Sequence, residues 1–385
     1  MTDVSPDLQA LREAIEAIDE EILAQLKRRM ELVDRVVAAK LDRAVPLRDR
    51  LREEQVLQQV RHAAAGHGLD AHEIERLYRV VMEMSIARQQ AHIRSLATAP
   101  LRIAYQGVEG SYSHLAAQRH YRGRQGGVVL SGHETFRGAV DAVRDGSADL
   151  ALLPIENTTA GSINETYDLL AEGGVTVTGE VVSQIEHCLL ALPGVELEEL
   201  RTVISHPQGL LQCEDFFRAA PWIAPRAEFD TAGSARKMRQ AGNRTLGAIA
   251  SESAARVYGL AVLRRGVQSQ AGNYTRFFEI AVEAHPCPPD ARCKTSLLLA
   301  LTHQPGALGR VLAELGERGV NLTKLESRPL PGTPWQYRFY LDLEGHASSG
   351  PIVEALAAIR PLTTELRVLG TYPRAEAAPA AAPPA

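Results

Sequence analysis

A threonine and an arginine stand side by side in the stretch Gln270-Ala271-Gly272-Asn273-Tyr274-Thr275-Arg276-Phe277, between a glycine turn and an apolar run of strand character. A guanidinium grips a carboxylate through two charge-assisted hydrogen bonds, and a small hydroxyl donates to an oxygen that departs. The pair therefore suits a substrate that carries a carboxylate and loses an oxygen. Three polar stretches follow apolar runs upstream: Pro154–Ser162, Ser183–Cys188 and Ser205–Gln208. In an open parallel sheet, loops at the carboxyl ends of strands gather at one crevice. Ser113-His114 and Ser205-His206 do not make a hydrolase, because adjacent side chains rarely meet and no nucleophile-elbow glycines surround them.

A second cluster lies near the N-terminus. Arg12, Arg29 and Lys40 share one predicted helix, Arg48-Asp49-x-x-Arg52-Glu53 follows Pro46, and Ser85 and Gln89 stand four apart on one helix face. The first helix carries an apolar stripe at Leu8, Leu11, Ile15, Ile18, Ile22, Leu26, Met30, Val33 and Val37. So long a seam exceeds what a segment of this size covers by itself, which predicts a coiled coil or an intertwined helical dimer. Arg12 and Arg29 lie roughly 25 Å apart along such a rod, so one small ligand reaches both only if two chains contribute.

These residues require three kinds of scaffold. Residues 1–95 contain almost no glycine or proline and read as helices, while residues 101–283 alternate short β-branched runs with helical stretches, as an α/β domain does. Leu96–Pro100 and the proline-rich His285–Asp290 are linkers. Residues 295–373 read as strand Thr295–Thr302, helix Gly306–Arg318, strands Asn321–Arg328 and Trp335–Glu344, helix Pro351–Arg360 and strand Thr364–Leu369. That order is the ferredoxin-like pattern. Residues 374–385, alanine and proline, are predicted to be disordered.

Composition narrows the class. The 385 residues are too many for one core, 45% are apolar and 23% charged, and the net charge is −5. No basic stripe points to nucleic acid, and no apolar run approaches ~18 residues, so a cytosolic protein without membrane contact is expected. Cys188, Cys213, Cys287 and Cys293 are read as reduced thiols, and their spacing matches no common zinc pattern. The glycines of Gln106–His114 do not form a dinucleotide fingerprint, which argues against a nicotinamide enzyme.

On the residues quoted above, the helical segment resembles the all-helical chorismate mutase family over residues 8–92. The resemblance implies that Arg12, Arg29 and Arg52 hold carboxylates, that Lys40 and Gln89 donate to the ether oxygen, and that Asp49, Glu53 and Ser85 position neighbouring groups. The polar loops and the Thr275-Arg276-Phe277 turn resemble prephenate dehydratase from Arg102 to Val282, with Val108 where that family usually has proline. This implies two α/β lobes like a periplasmic binding protein, Thr275 polarising the departing hydroxyl, Arg276 on a carboxylate, and Asn157, Ser162, Ser205, His206, Gln208 and Phe277 about the cleft. Gly306-Ala307-Leu308 and Glu326-Ser327-Arg328-Pro329 make the last segment similar to a phenylalanine-sensing ACT domain, an α+β unit that commonly pairs its sheets.

Together the resemblances imply a multidomain, homodimeric or larger enzyme of phenylalanine biosynthesis. It would take chorismate to prephenate and prephenate to phenylpyruvate, inhibited by phenylalanine, with no metal or organic cofactor. Arogenate dehydration, a non-catalytic amino-acid sensor and a fusion to a dehydrogenase are the alternatives.

Overall fold

The computed structural model describes residues 6–41, 50–96, 100–124, 126–285, 287, 292–302, 304–330, 332–333 and 335–375. The chain divides into two compact units, Met1–Thr98 and Ala99–Ala385.

The first unit is helical. Helix α1 (Pro6–Leu41) is one unbroken rod, so Arg12 and Arg29 do share it, and α2 (Arg50–Gly66) and α3 (Ala71–Leu96) form a hairpin beside it. The second half of α1 buries Met30 and Val33, and α3 buries Val81 and Ser85. Along the first half, Leu11, Ile15, Ile18 and Ile22 are 52–62% exposed. Burial of such a side chain is worth about 1.5–3 kcal/mol, so this seam is a strong driving force left unspent within one chain.

The second unit begins with a lobe built on β1 (Leu101–Gln106), α4 (Tyr112–His120), β2 (Val128–His133), α5 (Phe136–Arg144), β3 (Leu150–Asn157), β4 (Gly161–Ser162), α6 (Asn164–Glu172) and β5 (Thr176–Gln184). The chain then crosses to a second lobe of β6 (Cys188–Ala191), β7 (Thr202–Ser205), α7 (Pro207–Leu211), α8 (Glu214–Ala219), β8 (Ala224–Ala227), α9 (Thr231–Ala241), β9 (Leu246–Ala250), α10 (Glu252–Tyr258) and β10 (Ala261–Arg264). It returns through β11 (Tyr274–Ala281), which enters the first sheet between β3 and β5. The two sheets run β2-β1-β3-β11-β5, with β4 on β3, and β10-β6-β9-β7-β8. Six successive residues of β3, Leu150–Ile155, are buried, as expected of a strand covered on both faces. Ser111, Thr135, Asp230 and Ser251 cap α4, α5, α9 and α10 by accepting backbone N–H groups.

The last part holds β12 (Cys293–Leu301), α11 (Ala307–Glu317), β13 (Leu322–Pro329), β14 (Tyr337–Glu344), α12 (Gly350–Ile359) and β15 (Thr363–Pro373), with sheet order β13-β14-β12-β15. One face of this sheet is covered by its helices through Leu297, Leu299, Leu341 and Leu343. The other face puts Leu298, Tyr340, Leu369 and Tyr372 into the same core as Leu153, Ile155, Phe278 and Ile280 of the first lobe. Thr176 Oγ1 donates to the Leu369 carbonyl at 2.7 Å where β15 crosses β5.

Two expectations are corrected here. Cys287 and Cys293, the latter the first residue of β12, form a disulfide, with Cα atoms 6.6 Å apart. Cys188 and Cys213 are free and buried. The first two residues of the tail expected to be disordered are hydrogen-bonded: the Arg374 N–H donates to the Arg292 carbonyl at 2.7 Å and the Ala375 N–H to Glu180 Oε1 at 2.9 Å. Residues 376–385 lie outside the described residues.

Where β15 meets β5 the backbones touch. A Cβ built on Gly370 would lie 2.0 Å from the Val177 carbonyl oxygen, an atom that cannot move aside without breaking its strand. Gly370→Ala is therefore expected to destabilise the second unit by about 1–3 kcal/mol, read as a lower melting temperature. Gly316→Ala, at a helical glycine with nothing within 4 Å, should be neutral or stabilising. Equal melting temperatures for the two variants would contradict this contact.

Candidate functional site

Thr275 faces the junction of the two lobes and is 7% exposed. Antiparallel register sets it opposite Asn157, the last residue of β3. Asn157 Oδ1 accepts the backbone N–H groups of Thr159 at 3.0 Å and Ala160 at 2.9 Å, which fixes the amide. Its Nδ2 then donates to the Tyr274 carbonyl and to Thr275 Oγ1, both at 3.0 Å. With a lone pair of Thr275 occupied in this way, its own proton is left to point elsewhere.

The second lobe reaches the same place through Gln212, just after α7. Gln212 Nε2 donates to Thr159 Oγ1 at 2.7 Å and Asn157 Oδ1 at 3.3 Å. Its Oε1 accepts from Asn273 Nδ2 at 3.0 Å and lies 2.7 Å from His187 Nε2. Since Oε1 only accepts, His187 carries its proton on Nε2, and Nδ1, 2.7 Å from the Tyr112 hydroxyl, is the acceptor. Burial holds the His187 imidazole below the usual histidine value, against the opposing effect of its hydrogen bond to Gln212, so the ring is neutral near pH 7. Gln212, Asn273, His187 and Tyr112 were not among the site residues read from sequence. Asn273 had a signal, since it stands two before Thr275 and shares its face.

Arg276 corrects an expectation. A strand alternates its faces, so Arg276 points away from Thr275. Arg276 Nε lies 2.6 Å from Glu156 Oε1, and Nη1 lies 3.1 Å from Glu180 Oε2 and 2.7 Å from Asp342 Oδ2. Three carboxylates of its own chain surround it, so the structure does not bring Arg276 and Thr275 together on one face. Burial would raise the Glu156 carboxyl, but Arg276 and Lys324 outweigh this and hold it below its ordinary value.

Other expected cleft residues separate likewise. Phe277 is 1% exposed, in a core cluster with Ile103, Ala116 and Leu152. Ser205 is fully buried and donates to the Ile249 carbonyl at 2.7 Å, because β7 turns it inward beside β9. Ser162, opposite Glu156, donates to the Glu326 carboxylate on the Arg276 side. His206 caps α7, its Nδ1 accepting the Gln208 N–H at 3.2 Å, and Gln208 is half-buried in the first turn.

In the helical unit Arg29 and Ser85 meet. Arg29 Nη1 donates to Ser85 Oγ and, at 3.3 Å, to the Val81 carbonyl, while Arg12 is exposed. Asp49 and the side chains of Lys40, Arg52, Glu53 and Gln89 lie outside the described residues. In the last segment Gly306 caps α11 in the left-handed conformation (φ 75°). A cavity of about 260 Å³ opens beside it, lined by Gly306, Ala307, Leu308, Gln336, Tyr337 and Phe339 among others. Glu326–Pro329 do not line this cavity; Glu326 meets Ser162, and Arg328 pairs with Asp168 at 2.8 Å.

Three family models match the chain: chorismate mutase type II over residues 11–90, prephenate dehydratase over 103–285 and ACT domain over 295–361. The bifunctional chorismate mutase/prephenate dehydratase of Escherichia coli (strain K12) is 38% identical over 384 residues, covering 98% of this chain and 99% of the relative. Among solved structures, the prephenate dehydratase of Arthrobacter aurescens in complex with L-Phe is 28% identical with a TM-score of 0.65, covering 71% of this chain and 90% of that one. GqqA, described as a novel type of quorum-quenching acylase, is 37% identical with a TM-score of 0.64, covering 71% of this chain and 97% of its own.

The buried histidine makes a pH prediction. His187 is 2% exposed and its folded value lies below the unfolded 6.5, so its contribution to stability is whole above pH 6.5 and is lost as pH falls below it. The slope from one such group is at most about 1.4 kcal/mol per pH unit. Denaturant unfolding between pH 5 and 8 should show a shallower acid loss for His187→Gln than for the parent. Parallel curves would contradict a neutral, buried His187.

Proposed function

The chain belongs to the bifunctional chorismate mutase/prephenate dehydratase family, and from that membership we propose how its side chains divide two reactions. It rearranges chorismate to prephenate in the helical unit. It converts prephenate to phenylpyruvate in the two-lobed domain, and phenylalanine regulates the enzyme through the ACT domain.

The second reaction expels hydroxide and carbon dioxide from the prephenate ring, and aromatisation drives it. The difficult part is the departing oxygen. One observation supports the assignment: Asn157 Nδ2 donates to Thr275 Oγ1 at 3.0 Å, which leaves the threonine's own proton available for that oxygen. A threonine hydroxyl is too weak an acid to surrender its proton, so it polarises the leaving group through a hydrogen bond that strengthens as charge develops. Gln212, donated from the opposite lobe, ties the pair to the far wall of the cleft.

The first reaction transfers no proton. Folding chorismate into its reactive shape removes up to about 7–11 kcal/mol of barrier in favourable cases. We assign Arg29, held by Ser85, to a carboxylate, with Arg12 of a second copy on the other. The exposed Leu11–Ile22 seam supports the dimer this requires.

For the acylase activity in the description of GqqA, neither Ser205 nor the two free cysteines Cys188 and Cys213 offers an available nucleophile. Ser205 is bonded to the Ile249 carbonyl, and burial pushes the Cys188 and Cys213 thiols up to about 11 and about 12.

Purified protein given chorismate should yield phenylpyruvate, detected by its ultraviolet absorbance, and prephenate should be dehydrated in preference to arogenate. Phenylalanine binding without turnover of any of the three would support the non-catalytic sensor instead. For the mutase, Arg12→Ala and Arg29→Ala chains should each be inactive, and mixed, exchanged dimers should regain activity through one intact site. No recovery after confirmed subunit exchange would contradict the shared site.

A further inference from the structure

The β3–β11 register sets two cross-strand pairs next to each other: Thr275 opposite Asn157, and Arg276 opposite Glu156. The first pair faces the cleft. The second faces the ACT sheet, whose side chains converge on it. Asp342 of β14 lies 2.7 Å from Arg276 Nη1, and its Oδ1 accepts from Ser296 Oγ at 2.5 Å. Lys324 of β13 donates to Glu156 Oε2 at 2.5 Å and to Ser162 Oγ at 2.8 Å. Lys294 of β12 lies 2.9 Å from Glu180 Oε1, whose other oxygen meets Arg276.

Buried ion networks of this kind are poor sources of stability, since apolar replacements of similar volume are often neutral or better. They are directional, however, and removal of one member strands a buried charge. The Arg276, Glu180 and Asp342 side chains are 9%, 1% and 6% exposed. With so little water access, a displacement of Asp342 acts directly on Arg276, against the hold of Glu156 and Glu180.

Strand β14 also carries the opposite connection. Tyr337 and Phe339 line the cavity beside Gly306, while Tyr340 and Asp342 project from the other face toward the first lobe. A ligand wedged against Phe339 acts on the strand that holds Asp342.

We propose that Arg276 is a positioning residue that sets the Thr275–Asn157 pair from behind, and that Asp342 passes to it the state of the ACT cavity. The role rests on the reading of this chain as a phenylalanine-regulated dehydratase, and it identifies the contact through which that regulation reaches the chemistry. Phenylalanine held against β14 shifts Asp342, Arg276 follows with its strand, and the Thr275 hydroxyl leaves the line of the departing oxygen.

The test uses the full-length protein carrying Asp342→Asn, which keeps the side chain's shape and its Ser296 contact while removing the charge. Phenylalanine binding is measured by calorimetry, and dehydratase kcat and KM with and without phenylalanine. The expected result is phenylalanine affinity within about threefold of the parent and an inhibition midpoint raised at least tenfold. Without phenylalanine, kcat should change severalfold while KM for prephenate stays within about twofold.

Inhibition and kcat equal to the parent's would overturn the proposal, even with a lowered melting temperature. So would joint loss of binding and inhibition, which would make Asp342 part of the sensing pocket itself. Should Asp342→Asn not fold, Lys324→Met removes the half-buried anchor on Glu156 and must loosen inhibition by the same criterion. If phenylalanine neither binds nor inhibits the parent, the regulatory reading fails instead, and the positioning role stands or falls on kcat of the variant alone.

Discussion

The pairing of β3 with β11 is the constraint on which the second unit depends. It brings the last residue of one strand, Asn157, to the first turn of chemistry at Thr275, and in the next register position it brings Glu156 to Arg276. A pleated strand sends these two pairs to opposite faces. The cleft and the ACT contact are thus two sides of one ladder, separated by a single residue step. Neither surface can be repositioned without the other.

Packing fixes the distance across that ladder. The ACT sheet shares a core with the first lobe, and at Gly370 its backbone touches Val177 without room for a methyl group. Between these apolar contacts the interface carries charge. Burial alone would strip the Arg276 guanidinium of its proton more easily, yet Asp342, Glu156 and Glu180 hold it firmly protonated. Arg276 and Lys324 in turn hold Glu156 ionised. An apolar plug would serve stability as well; the charges make the contact specific in direction.

Much of this was legible from residue order. The three regions, the helical seam and the placing of Arg12 and Arg29 on one rod follow from period and breakers alone, and the ferredoxin-like order of the last segment was plain from its turns. What failed was the choice of face. Thr275 and Arg276 are adjacent, which invites reading them as partners on one ligand, whereas strand geometry separates them. The Ser205–Gln208 stretch drew attention to Gln208, but Pro207 opens a short helix whose far end, at Gln212, is the part that meets Asn157. His187 lies in the core, and its two ring nitrogens lie within hydrogen-bond distance of partners, Tyr112 and Gln212, that are distant in sequence. The Cys287–Cys293 pair escaped an argument based on whole-chain cysteine content, because it depends on two cysteines six residues apart being brought together locally.

The central claim is that an oriented hydroxyl, and not the bulk or branching of residue 275, polarises the oxygen that leaves prephenate. Comparing Thr275→Ser with Thr275→Val tests it most directly, through dehydratase kcat on prephenate. The account predicts that serine, which can accept from Asn157 and still donate, keeps kcat within about tenfold, while valine, similar in shape to threonine, loses about 10²–10³-fold. A valine enzyme as fast as the serine enzyme would contradict it.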